Sequence, residues 1–146
     1  MLIYLDVCAI QRPLDDLTQV RVRLEAAAVL ALLDNCRAGG ASLVSSDSLV
    51  YEAGRNPHPD RRAYAEDVLA AAVVRQSLTD DIEARAAALV AAGLLPLDAL
   101  HLASAEAAGV HYFCTCDDRL LKRGRASAAP PVRVVSPVEL TSELDL

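Results

Sequence analysis

The sequence has no Trp, one Phe and only four Tyr. Stacking of unpaired bases on aromatic rings is therefore a poor basis for any binding it does. It has no excess of basic residues: 14 Lys and Arg face 20 Asp and Glu, for a net charge of −6 and a pI near 4.9. A broad basic coat for nucleic acid is disfavoured, although a local basic patch is not. No long apolar run is present. The richest, Ala26 to Leu33, is closed off by Glu25 and Asp34, far short of the ~20 apolar residues a membrane span needs. An apolar leader is missing too, because Asp6 interrupts the first segment. The four cysteines (8, 36, 114 and 116) form no C-x-x-C pair and no zinc-finger spacing. Cys114 and Cys116 sit two apart on one side of a strand, a poor disulfide geometry. There is no G-x-S-x-G, no P-loop and no G-x-G-x-x-G. These absences point to a soluble, reduced, cytoplasmic chain that uses cysteine mainly as a small apolar filler.

What is present is an ordinary globular balance, 53% hydrophobic and 23% charged over 146 residues. That suits a single domain spanning 1–146 with one core. Leu2-Ile3-Tyr4-Leu5 reads as a buried strand ending at an acid. A polar loop through Gln11-Arg12-Pro13 follows. A helix from about Val20 to Ala38 carries Val22, Ala26, Val29, Leu30 and Leu33 on one face and stops at Gly39-Gly40. Ser42 to Ser45 reads as a second strand, and Ser46 or Asp47 caps a helix bearing Glu52. The break at Asn56 to Asp60 precedes a helix from about Arg61 to Ala72. Val73-Val74 fits either its end or a short extended piece. Thr79-Asp80-Asp81 opens a helix with Ile82, Ala86, Leu89 and Val90 buried and Gly93 at its end. Pro96 opens the next, which ends at Gly109. His111 to Thr115 is a strand, a short basic helix begins at Asp117 or Asp118, Ala126 to Pro131 is a loop, and Val132 to Val135 is a last strand before an acidic tail. Strands alternating with helices predict an α/β fold with a mostly parallel sheet. Such sheets bind ligands at the carboxyl ends of their strands.

Four acids fall at that edge. Asp6 closes the first strand, Asp117 follows the strand through Phe113, Asp98 lies in the first turn after Pro96, and Glu52 rides the helix after the second strand. Two carboxylates ~4 Å apart repel by roughly 4 kcal/mol at an effective dielectric near 20. A converging set therefore takes up protons or holds cations. Oxygen ligands with few His or Cys favour Mg2+ or Mn2+. Each acid also has a plainer reading: Asp98 as a helix-dipole partner, Asp117 as an N-cap, Glu52 as a surface acid, Asp6 as a loop cap. His101, three residues after Asp98, reads first as a core histidine and second as a neighbour or ligand of the acids. His58 is expected to be exposed and His111 structural. Arg119, Lys122, Arg123 and Arg125 can hold phosphates or simply match a helix end, and Arg12 is a further candidate.

Tyr4-Leu5-Asp6, Leu49-Val50-Tyr51-Glu52, the run Leu97 to Ala105 and Thr115-Cys116-Asp117-Asp118-Arg119-Leu120-Leu121 resemble the PIN-domain ribonucleases, a family that includes VapC-type toxins of toxin–antitoxin pairs. The resemblance covers nearly the whole chain in order. It implies a Rossmann-like three-layer α/β/α sandwich in which Asp6, Glu52, Asp98 and Asp117 hold Mg2+ or Mn2+. A water activated by that ion attacks RNA, leaving a 5′-phosphate and a 3′-hydroxyl. Thr115 matches a hydroxyl position that orients a water or an acid. The resemblance also implies an antitoxin partner and a homodimer. One departure stands out: where the family commonly has small polar residues after the first acid, this chain has Val7 and Cys8. Two other functions compete. A phosphatase on a similar sheet wants a second acid where Cys8 stands. A non-catalytic interaction module keeps the fold and binds a partner protein.

Overall fold

A computed structural model describes residues 1–146. Its centre is a five-stranded sheet of β1 (Leu2–Leu5), β2 (Ser42–Ser46), β3 (Val74–Gln76), β4 (Tyr112–Cys114) and β5 (Arg133–Val135), in the order β3-β2-β1-β4-β5 with every pair parallel. The helices are α1 (Val7–Ile10), α2 (Val20–Arg37), α3 (Asp47–Gly54), α4 (Pro59–Ala70), α5 (Asp80–Ala91), α6 (Pro96–Ala107), α7 (Asp118–Ser127) and α8 (Pro137–Glu143). A 3-10 turn spans Arg12–Leu14. Helices flank the sheet: α2 packs on α8, while α5 packs on α6, which reaches β2 and β3. The result is a Rossmann-like three-layer sandwich.

β1 is central because it is apolar on both faces, as a strand covered on both sides must be. Ile3, Tyr4 and Leu5 are fully buried. Tyr4 sits in register with Phe113 and stacks on it at 5.2 Å between ring centroids. The core extends through Val44, Leu32, Leu49, Leu89, Leu102 and Leu140. The strand order reverses on either side of β1. Connections run outward through β2 and β3 and then return to β4, and open α/β sheets form their crevice at such a reversal.

Local chemistry sets the helix ends. Ser46 Oγ accepts from Leu49 N–H at 3.1 Å, Thr79 Oγ1 from Ile82 N–H at 3.2 Å and Asp117 Oδ1 from Leu120 N–H at 3.0 Å. Pro59 and Pro96 occupy first turns, where a missing N–H costs nothing. Gly39 ends α2 at φ +85°, a left-handed conformation that glycine adopts without penalty. No helix is long and apolar enough to cross a membrane.

Several expectations need correction. Leu30 and Val90 are 46% and 41% exposed, because each follows a buried residue, Val29 or Leu89, by one position, about 100° round the helix. The segment after β5 is not a loose acidic tail. It is α8, held by a capping box in which Ser136 and Glu139 satisfy each other's backbone N–H. α7 continues to Ser127, past the expected loop start at Ala126, and the helix expected from Arg61 begins at Pro59. Val74 begins an edge strand. α1 and the 3-10 turn replace the expected loop after Asp6. His111 is structural as expected, its Nδ1 accepting from Leu2 N–H at 3.1 Å.

Candidate metal centre at the sheet switch point

Asp6 is the first residue beyond β1 and is 5% exposed. Its backbone N–H still pairs with Cys114 O at 2.9 Å, so the carboxylate leaves the sheet where β1 and β4 part. Oδ1 accepts from Val7 N–H at 2.8 Å, which caps α1. Oδ2 accepts from Thr115 Oγ1–H at 3.0 Å and lies 3.1 Å from the Cys8 thiol. Thr115 in turn accepts from Asp117 N–H at 3.1 Å. One buried hydroxyl thus links the two acids that end the central strands.

Cys8 is more than a filler. Its sulfur contacts Asp6 and Thr115 (3.3 Å) and accepts from Cys116 N–H at 3.4 Å. It fills the place of a small polar side chain with a weaker donor. The Cys116 thiol, burial and the Asp6 charge all push its thiol well above the usual range, so it stays protonated as a donor. The other cysteines fit the expectation: Cys114 and Cys116 are buried in the core, and all four are free.

Glu52 reaches in from α3 and His101 from α6. His101 Nε2 lies 2.6 Å from Glu52 Oε2, and Nδ1 lies 2.8 Å from the Tyr4 hydroxyl, itself 2.7 Å from Ser46 Oγ. His101 is fully buried. Burial disfavours its charged form, but the Glu52 hydrogen bond and the charges of Asp6, Glu52 and Asp98 outweigh that and raise its pKa. Donor atoms of Asp6, Glu52 and His101 lie within 4.8 Å of one another, a group able to hold a divalent cation.

Asp98 and Asp117 stand outside that innermost group but share its field. Burial, then the charges of Asp6 and Asp117 and more weakly Glu52, push the Asp98 carboxyl up to about 6, with His101 opposing. Asp117 caps α7 and is exposed. Asp6, Glu52 and His101 thus form one close group, and Asp98 feels the charges of Asp6, Asp117 and Glu52. Tyr4 and Ser46 were not singled out from the sequence. The available signal was a hydroxyl in an otherwise aliphatic buried strand, which must find a partner.

The basic candidates divide. Arg119, Lys122 and Arg123 are exposed on α7 and line an open groove of about 790 Å3 together with Ala92 and Ser127. Gly93 lets Arg123 lie close, since a Cβ there would fall 2.4 Å from its Nη1. Arg125 is engaged with Val134 O and Glu139. Arg12 is engaged as well, with Nε on Glu25 at 2.7 Å and Nη1 on Asp15 at 2.9 Å. Arg21 holds the buried Glu25 from the other side and pairs bidentately with Asp118.

The donor set fits a hard dication. Three of the five ionisable groups are carboxylates at least partly withdrawn from water, and burial, followed by the charges of Asp6 and Asp117, pushes the Asp98 carboxyl up.

Comparison with curated proteins gives no match. Comparison with family models gives the PIN domain over residues 20–126. That stretch includes Glu52, Asp98, His101, Thr115 and Asp117, while Asp6 precedes it and joins them only through the fold. With most of its length matched, and Asp6 standing where the strand order reverses, the chain belongs to the PIN-domain family.

Proposed function

We propose that this protein is a Mg2+- or Mn2+-dependent endoribonuclease that hydrolyses RNA phosphodiester bonds, and that it is the VapC-like toxin of a type II toxin–antitoxin pair acting in the cytoplasm as one domain. The observation that carries this reading is the meeting of Asp6, Glu52 and His101 from three separate segments, with donor atoms within 4.8 Å of one another. Stable proteins avoid such crowding unless a cation relieves it.

In this reading Asp6, Glu52, Asp98 and Asp117 hold the ion. When bound, it activates water and offsets charge on a phosphate. Thr115 fixes Asp6 by donating to Oδ2, leaving Oδ1 only a backbone amide to satisfy. Arg119, Lys122 and Arg123 hold the RNA backbone beside the pocket and counter the net negative charge. The Arg12 guanidinium organises α2 against the 3-10 turn rather than touching RNA. A small antitoxin that inserts a basic side chain among the acids, and a homodimer, complete the proposal.

The non-catalytic alternative rested on Val7 and Cys8. Cys8 supplies Asp6 with a side-chain donor, which removes the reason to prefer that alternative. A phosphatase would need a carboxylate where this thiol stands. The test is cleavage of a mixed RNA pool with Mn2+ by the wild type and by Asp6→Asn and Asp117→Asn. Both substitutions keep a capping oxygen. Wild-type cleavage that survives in both variants would remove the pocket from the reaction.

A further inference from the structure

We propose that His101 is a positioning residue whose Nε2 serves as a permanent hydrogen-bond donor to Glu52, so that it presents Glu52 to the cation and does not itself ligate it. This rests on the metal-centre reading above and assigns a division of labour within it.

The argument is one of hydrogen count. Leu49 N–H, Ser46 Oγ, Tyr4 Oη, His101 and Glu52 Oε2 form a continuous chain with links of 3.1, 2.7, 2.8 and 2.6 Å. Ser46, Tyr4 and His101 are fully buried, so water does not complete the chain. Each hydroxyl carries one hydrogen. In one sense Leu49 donates to Ser46, Ser46 to Tyr4 and Tyr4 to Nδ1. The ring proton is then on Nε2 and goes to Glu52, and every group is satisfied. In the opposite sense Nδ1–H donates to Tyr4 and Tyr4 to Ser46. The Ser46 hydrogen then has no acceptor, and in the neutral ring the Nε2 lone pair faces a carboxylate at 2.6 Å. A buried donor left without an acceptor forfeits the hydrogen bond that water would have given it. A charged ring also keeps Nε2–H, so the chain fixes that nitrogen as a donor in either charge state.

Ligation by Nε2 would require the opposite sense, the loss of the Glu52 bond and an orphaned hydroxyl. Donation from Nε2 instead occupies one face of Oε2 and leaves Oε1 open, which is how hydrogen-bonded carboxylates are oriented in metal sites. The relay is also anchored at the cap of α3, the helix that carries Glu52. The same serine that starts this helix therefore sets, through Tyr4 and His101, where its carboxylate points.

The experiment is long-range 15N–1H correlation of the histidine rings, without metal and saturated with Mg2+, paired with Mn2+ calorimetry of His101→Leu, His101→Gln and Tyr4→Phe. The expected ring signature is protonated Nε2 and acceptor Nδ1, unchanged by Mg2+. Tyr4→Phe, which removes the partner of Nδ1 but leaves Glu52 facing Nε2, should keep the Nε2 proton and move the Nδ1 resonance toward that of an unbonded ring nitrogen. His101→Leu should lose 10–100-fold in Mn2+ affinity, about the range for supporting residues, and His101→Gln, which keeps an N–H for Glu52, should recover most of it. A Nε2 that loses its proton on adding Mg2+ overturns the proposal, as does wild-type affinity in His101→Leu. If the Leu variant does not fold, the ring signature in the wild type and in Tyr4→Phe still decides. None of these readouts involves RNA, so a failure to cleave RNA would sink the ribonuclease reading alone.

Discussion

Replacing Asp98 with Asn removes a charge that its neighbours oppose, and the sign of the consequence depends on metal. In the metal-free protein the Asp98 carboxyl is raised from 3.8 to about 6 by burial and by Asp6 and Asp117. The folded state therefore holds this proton more tightly than the unfolded chain does. The contribution of Asp98 to stability is greatest below pH 3.8, falls as pH rises through 3.8 to 6, and stays reduced above that. At ~1.36 kcal/mol per decade the ceiling is ~3 kcal/mol, and solvent screening of a half-buried group reduces it to ~1–2 kcal/mol. Asn is isosteric, and burial and neighbouring charges rather than hydrogen bonds set the Asp98 carboxyl, so it should relieve this penalty at little other cost. The metal-free variant should melt about 2–8 °C above the wild type at pH 7.5 for a chain of this size, and its Tm should lose the decline between pH 4 and 6. Adding millimolar Mn2+ should reverse the order, stabilising the wild type far more than the variant. Differential scanning fluorimetry over a pH series with EDTA or Mn2+ gives all four numbers. A metal-free Asp98→Asn protein that melts below the wild type at pH 7.5 would refute the claim that the carboxylates crowd one another.

Thr115→Val should lose about 1–3 kcal/mol by denaturant titration, because the Asp117 amide is left without its acceptor and Asp6 Oδ2 keeps only the weak Cys8 thiol as donor, while Thr115→Ser should lose less than half as much. Arg12→Ala should cost about 2 kcal/mol, less than the ~3–5 kcal/mol of an abandoned buried ion, because Arg21 still holds Glu25. It should leave the salt dependence of RNA binding unchanged. Lys122→Gln combined with Arg123→Gln should flatten that salt dependence by about two phosphate contacts without altering Mn2+ affinity.

Much of this arrangement was legible because it rests on local chemistry. Leu2 to Leu5 is apolar on both faces and can only be an interior strand, and Pro96 followed by Asp98 marks a helix start regardless of context. The parallel sheet and the four acids at its edge follow from such signals. What was not legible depends on partners far along the chain. His101 was read as a core residue because its spacing from Asp98 says nothing of Glu52, 49 residues earlier, or of Tyr4, 97 residues earlier. Cys8 was legible only as a poor stand-in for a small polar neighbour of Asp6, because its contacts with Thr115 and Cys116 are made only once β1 and β4 pair. α8 is a different case: Ser136, Pro137 and Glu139 spell a capping box in the sequence itself, and the acidic composition of the segment masked it.

The central place of β1 has a consequence for synthesis. Asp6 is made 109 residues before its partner Thr115, which arrives with Asp117 only after β4, the strand that pairs along the other side of β1. Until then the early acids have no docked edge to gather on. The acidic group therefore cannot be completed until β4 has been made and has paired with β1.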